Sequence, residues 1–299
     1  MNKFVSKYGQ ILLPLITPYG EGEEVNYEAY TELIHYLIEK NLCDSLIVTG
    51  TTGEASLLTF DERVKLMETA VKAADGRKPV IAGTGCASTK ETIALTKEAE
   101  KLGIETCLIV CPFYNKPTQE GIYQHFKSIA EATTLPIMVY NVPGRVGTGI
   151  FPATLARLHK EYPHICAIKE ASGNLMIASE IKRLMPGEDF MVYSGDDGLT
   201  LPILSVGGTG VISVVSHVAG QDMNDMIAAF EEGNNQKATQ LHQKLAEIIK
   251  AMFITTNPIP VKYAARKLGL PAGIFNLPMC EPSQEEAAYI DKALAEYLQ

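Results

Sequence analysis

Eight short apolar runs recur along the chain: Ile11–Thr17, Ser45–Gly50, Pro79–Gly83, Cys107–Phe113, Pro136–Val142, Ile165–Lys169, Phe190–Gly195 and Gly210–Val215. Most are continuous rather than alternating, the pattern of parallel strands covered on both faces. Between them lie stretches with helical spacing. Thr59 and Glu62 make a capping box, Val64, Met67, Val71 and Ala74 mark one face, and Gly76 ends the segment. Ser88 and Glu91 repeat the box, followed by Ile93, Thr96, Ala99 and Leu102, with Gly103 as the stop. Leu175–Leu184 and Leu199–Leu204 continue the rhythm after the sixth and seventh runs.

Strands alternating with helices close either as an open doubly wound sheet or as a (β/α)8 barrel. The open dinucleotide-binding sheet places GxGxxG after its first strand. Here that strand leads into Thr17-Pro18-Tyr19-Gly20, and Gly83-Thr84-Gly85 lacks the third glycine. Eight similar units therefore predict an α/β chain folded as a TIM barrel, with a C-terminal helical appendage. Past Gly233 no strand-like run remains, and the spacing predicts helices over Gln236–Met252, Pro258–Leu268 and Ser283–Tyr297. The expected division is a barrel over residues 1–232 and a helical domain over 233–299, jointed at Glu231–Asn235.

Composition narrows the picture. The 299 residues carry a net charge of −9, which argues against nucleic acid as a partner, because phosphate binding needs a basic face. An anionic substrate would need local cations. No run approaches the roughly 18 apolar residues of a membrane span, and Met1–Gln10 lacks the apolar core of a signal peptide. The expectation is a cytoplasmic protein without a membrane partner. Cys43, Cys86, Cys107, Cys111, Cys166 and Cys280 form no CxxC pair and no metal spacing, so they read as buried free thiols. HExxH, GxSxG and the P-loop pattern are absent, and the six histidines are scattered.

A barrel carries its chemistry at the C-terminal ends of its strands. The second run ends in Gly50-Thr51-Thr52-Gly53-Glu54, the fourth in Tyr114-Asn115, the fifth in Tyr140 to Arg145, the sixth in Lys169-Glu170 and the seventh in Gly195-Asp196-Asp197. Lys169 closes an apolar run. An ordinary strand-end lysine keeps its ammonium in solvent. One turned into the barrel mouth is partly desolvated, which favours the neutral amine that attacks carbonyls to form a Schiff base. Tyr140, one strand away, could shuttle its protons or only fill the rim. Arg145, in a Gly/Pro turn, could be an ordinary loop arginine or could grip a carboxylate with two hydrogen bonds. The Gly50–Gly53 turn could offer hydroxyls and N–H groups to another carboxylate. Asp196-Asp197 reads as a helix cap rather than a metal or acid/base pair. Gly207–Gly210 precedes the eighth strand, so it falls at the opposite end of the barrel.

The segments Gly50–Glu54, Tyr114–Gly121, Tyr140–Arg145, Lys169-Glu170, Ser194–Asp197 and Asn257-Pro258-Ile259-Pro260-Val261-Lys262 together resemble the motifs of the dihydrodipicolinate synthase family. This family belongs to the pyruvate-dependent class I aldolases, which also include N-acetylneuraminate lyase. The resemblance runs over nearly the whole chain. It implies that Lys169 condenses with pyruvate and that the enamine attacks L-aspartate 4-semialdehyde, with no organic cofactor and no metal. It implies Tyr140, Thr51 and Tyr114 as proton-relay hydroxyls, the last reaching in from a neighbouring subunit of a homotetramer. Thr51 and Thr52 would hold the pyruvate carboxylate, Arg145 that of the second substrate, Ile212 would turn a carbonyl toward the lysine, and Gly195 would line the substrate site.

Family members inhibited by L-lysine carry polar residues at an inter-subunit site where this chain has Phe60, Arg63, Ala87 and Phe113, with Glu91 retained. Weak or absent lysine feedback is expected, because a bound lysine would leave its polar groups unpaired. Two other readings stay open on the residues alone. One is a sister aldolase that cleaves a sugar-derived 2-keto acid. The other is a barrel that binds a keto acid without turnover.

Overall fold

The computed structural model describes residues 3–299, so the first two positions of the N-terminal stretch lie outside the described residues. The strands are β1 Ile11–Pro14, β2 Ser45–Val48, β3 Val80–Gly83, β4 Cys107–Val110, β5 Ile137–Asn141, β6 Ile165–Glu170, β7 Met191–Ser194 and β8 Gly210–Ile212. They follow one another in chain order as a closed barrel. Every residue of β1, β2, β5 and β7 is buried, which is why their sequences run apolar without alternation.

Helices α1 Lys3–Tyr8, α2 Tyr27–Glu39, α3 Phe60–Ala74, α4 Thr89–Lys101 and α5 Gln119–Ala132 come first. The short α6 Pro143–Val146, then α7 Pro152–Glu161, α8 Leu175–Leu184, α9 Thr200–Ser205 and α10 Ser216–Glu231 follow. The C-terminal helices are α11 Asn235–Met252, α12 Ile259–Lys267 and α13 Gln284–Tyr297, within one residue of their expected bounds. The expected box at Thr59/Glu62 is present in both directions, and a second one opens α13 at Ser283/Glu286. Ser88 supplies only the forward half, accepting from Glu91 N.

The inward stripes differ from the expected ones by about one residue. In α3 the buried positions are Arg63, Leu66, Met67, Ala70, Ala73 and Ala74, which leaves Val64 and Val71 at the margin. In α4 they are Thr92, Leu95, Thr96 and Ala99 rather than Ile93 and Leu102. Threonines are tolerated there because their hydroxyls are satisfied: Thr84 and Thr96 pair at 2.9 Å, and Thr92 bonds the Ser88 carbonyl. Helices α1, α2, α5, α7 and α10 are elements that the apolar runs alone do not delimit.

By contacts the chain falls into two compact units. One holds the segment up to Gln10 together with Val80–Ile212, hence β3 to β8. The other holds Ile11–Pro79 together with Ser213–Gln299, hence β1, β2 and the C-terminal helices. Among the described residues no helix is long and apolar enough to cross a membrane.

Candidate active site

In the unit built on β3 to β8, the parallel register of β5 and β6 sets Tyr140 opposite Lys169 and Asn141 opposite Glu170. Lys169 is 5% exposed, and its Nζ stands 4.5 Å from the centre of the Tyr140 ring. Among the described residues no carboxylate and no other hydrogen-bond acceptor meets that nitrogen. A buried amine is ordinarily paired. This one has only the face of a phenol, the partner expected on sequence grounds.

Gly195, just past β7, belongs to the same construction. A Cβ placed there would lie 3.0 Å from Lys169 Cε, 3.1 Å from its Cγ and 2.5 Å from Ala171 Cβ. Only glycine leaves room for the lysine stem, while Gly195 N donates to Glu170 O at 2.7 Å and keeps β7 close. The next rung is polar and buried. Asn141 Nδ2 donates to Glu170 Oε2 at 2.7 Å, Ser172 N donates to Glu170 Oε1 at 2.7 Å, and Asn141 Oδ1 accepts from Ile150 N. Asn141 therefore ties β6 to the return of the loop that carries α6.

Arg145 lies on α6 and is exposed, two residues before Gly147, which ends that helix at φ 75°. Tyr114 is 90% exposed and holds a left-handed backbone at φ 70°. Ile212 is the last residue of β8 and is buried. Asp196 caps the turn before Leu199 by accepting from Gly198 N, as expected.

In the other unit, the turn after β2 is bracketed by two left-handed residues, Thr49 at φ 52° and Glu54 at φ 56°. Thr51 is half-buried and Thr52 is buried. Asn257 Nδ2 donates to Thr52 Oγ1 at 3.0 Å, and Thr17 Oγ1 donates to Gly53 O at 2.7 Å. With Nδ2 donating to it, the Thr52 oxygen keeps its own proton to give away. Glu54 is buried against Lys262 at 2.9 Å. Burial pushes the Glu54 carboxyl above its ordinary range and the Lys262 ammonium below, and each charge partly restores the other.

The role of Glu170, Asn141, Glu54 and Lys262 is not legible in the motifs that contain them. The one available signal is a charged residue directly after an apolar run, as in Lys169-Glu170. The cysteines are a minor correction: Cys280 is exposed and Cys166 half-buried, while Cys43, Cys86, Cys107 and Cys111 are buried as expected. Burial pushes the Cys107 and Cys111 thiols up to about 12, so neither is a nucleophile near neutral pH. Among the described residues no group of three or more His, Cys, Asp or Glu is placed to hold a metal ion.

The profile of the Dihydrodipicolinate synthetase family matches residues 7–297. The chain belongs to that family. A 4-hydroxy-tetrahydrodipicolinate synthase of Bacillus subtilis is 48% identical, with 97% of this chain and 99% of the relative covered. The solved structure of a DHDPS from Cyanidioschyzon merolae with lysine bound superposes with a TM-score of 0.94 at 42% identity, covering 97% of this chain and 98% of the other. A dihydrodipicolinate synthase of Bacillus anthracis gives 0.92 at 44% identity, covering 97% and 98%. Membership of the synthase family accords with the fold as described, an eight-stranded barrel with C-terminal helices.

Proposed function

We propose that the chain condenses pyruvate with L-aspartate 4-semialdehyde to 4-hydroxy-tetrahydrodipicolinate, a lyase of lysine and diaminopimelate biosynthesis working through a Schiff base on Lys169. The observation that carries the reading is the buried Lys169 amine over the Tyr140 ring, with no carboxylate bonded to it among the described residues. Its nitrogen attacks the pyruvate ketone, water leaves, and the iminium forms. The iminium draws electrons from the methyl carbon, which loses a proton to give the enamine. The enamine carbon bonds to the aldehyde carbon of the second substrate, and the aldehyde oxygen gains a proton. The substrate's own amine then attacks the iminium carbon, closes the ring and releases Lys169.

Tyr140, Thr51 and Tyr114 carry the protons in this scheme. Thr51 and Thr52 hold the pyruvate carboxylate, with Ile212 and Gly195 shaping the pyruvate side. Arg145, a cation in a chain of net charge −9, holds the carboxylate of the semialdehyde. The exposure of Tyr114 supports its donation to a neighbouring copy, hence a homotetramer of two tight dimers. The proposed setting is the cytoplasm. The proposed organisation is a barrel over 1–232 with a helical appendage over 233–299.

The test is chemical. Incubation with pyruvate and borohydride is expected to add one reduced pyruvate at Lys169, and a coupled assay with both substrates to show product formation. Adduct on any other residue, or none, removes the mechanism. Turnover of N-acetylneuraminate in place of the semialdehyde would move the chain to the sister activity.

A further inference from the structure

Lys262 lies outside the barrel strands, on α12, yet it is fully buried. Its nitrogen meets acceptors from three segments: Thr17 O at 3.0 Å, Glu54 Oε1 at 2.9 Å and Ile274 O at 2.9 Å. An ammonium has three N–H donors, so all are used. The rings of Tyr19 and Phe275 cover it at 4.6 and 5.3 Å. Thr17 follows β1 and Glu54 ends the turn after β2. One cation therefore joins the C-terminal ends of two strands to the C-terminal segment.

A buried ion pair is seldom the most stable choice, since an apolar pair of the same volume often does as well or better. What the pair supplies here is position. The turn Gly50–Gly53 runs between two residues in left-handed conformations, which persist only where the surroundings over-determine them. Three ties meet that turn: Thr17 to Gly53 O, Asn257 to Thr52 Oγ1, and Lys262 to Glu54. The Glu54 tie is the only charged one of the three.

We propose that the buried Lys262–Glu54 pair is a positioning device that holds the Thr51–Thr52 turn in the form that binds a keto-acid carboxylate. Lys262 touches no substrate; it acts through Glu54 and the turn. The proposal rests on the carboxylate role given to Thr51 and Thr52 above.

The experiment compares the full-length wild type with three variants by steady-state kinetics, thermal unfolding and borohydride trapping with pyruvate. Glu54→Gln/Lys262→Met removes both charges together, so no orphan ion is left buried. It is expected to fold and to raise KM for pyruvate at least tenfold, with kcat and KM for the semialdehyde within threefold. Glu54→Asp keeps both charges but shortens the tie by one methylene, and is expected to raise KM for pyruvate severalfold. It decides the matter if the double variant does not fold. Glu54→Gln alone leaves the Lys262 ammonium buried without a counter-charge but with a carbonyl oxygen to bond, and is expected to lower the unfolding temperature and to raise KM for pyruvate less than the double variant does. A folded double variant or Glu54→Asp with unaltered KM for pyruvate, or one that shifts both KM values equally, overturns the proposal. Wild-type protein that forms no pyruvate adduct at Lys169 overturns the functional reading, and this inference with it. An intact wild-type adduct together with insensitive variants overturns the inference alone.

Discussion

Lys169 and Lys262 are both buried amines set over an aromatic ring, at 4.5 Å from Tyr140 and 4.6 Å from Tyr19. They differ in what else meets the nitrogen. Lys262 has a carboxylate and two carbonyls, so its charge is compensated and its geometry is locked. Lys169 has no such acceptor among the described residues, and glycine at 195 leaves its stem space. Burial alone therefore does not separate the two amines; the hydrogen-bond partners of each nitrogen do.

The largest expected effect tests the unpartnered side of that comparison. Lys169→Met should lower kcat on the order of 10⁴-fold or more, because it deletes the proposed covalent nucleophile. It should also abolish the pyruvate adduct with little change in melting temperature. Retained adduct would end the distinction between the two lysines. Tyr140→Phe comes next, with kcat reduced about 10²–10⁴-fold and KM for pyruvate changed far less, as expected of an acid/base hydroxyl. Rates equal to wild type would take the phenol out of the mechanism.

The partnered side should answer in stability and in pyruvate binding rather than in the covalent step. Lys262→Met leaves Glu54 buried without its cation and is expected to destabilise by about 3–5 kcal/mol in urea unfolding, while adduct formation at Lys169 persists. Adding Glu54→Gln should recover most of that loss. A single variant as stable as wild type would show the pair to be idle.

Each unit also contains one buried histidine, which gives a smaller contrast against pH. Burial holds His125 and His217 down at about 4, so both stay neutral in the fold. Their contribution is fully present above about 6.5 and is lost as pH falls toward 4, by roughly 3 kcal/mol for each. His125→Gln should flatten the fall of the urea midpoint between pH 7 and 4.5, and an unchanged slope would remove that residue from the acid transition. The smallest effect concerns feedback. Millimolar L-lysine should leave the rate within experimental scatter, since Phe60, Arg63, Ala87 and Phe113 offer little polar complement. Half-inhibition below that concentration would contradict this expectation.

Much of the architecture is local and so was legible. Strand runs, the Thr59 capping box and the C-terminal helices follow from neighbours within a few residues, where hydrophobic period and capping chemistry act. The inward stripes of α3 and α4 were legible only to within a residue, because buried threonines such as Thr92 and Thr96 carry no apolar mark. Of the site, Lys169, Tyr140 and Arg145 announce themselves as polar residues at the ends of apolar runs. Their grouping with Thr51, Thr52 and Tyr114 into one mechanism came from family resemblance rather than from physics.

By itself, the sequence determined the order of the elements, the ends of many of them and the presence of an amine at the close of the sixth strand. Only the tertiary structure decided that this amine faces Tyr140, that Gly195 clears its path, and that Lys262 reaches a carboxylate 208 residues away. The reason is physical. Periodicity and capping act between near neighbours, whereas strand register and the partner of a buried charge are set by the packing of segments far apart in the chain.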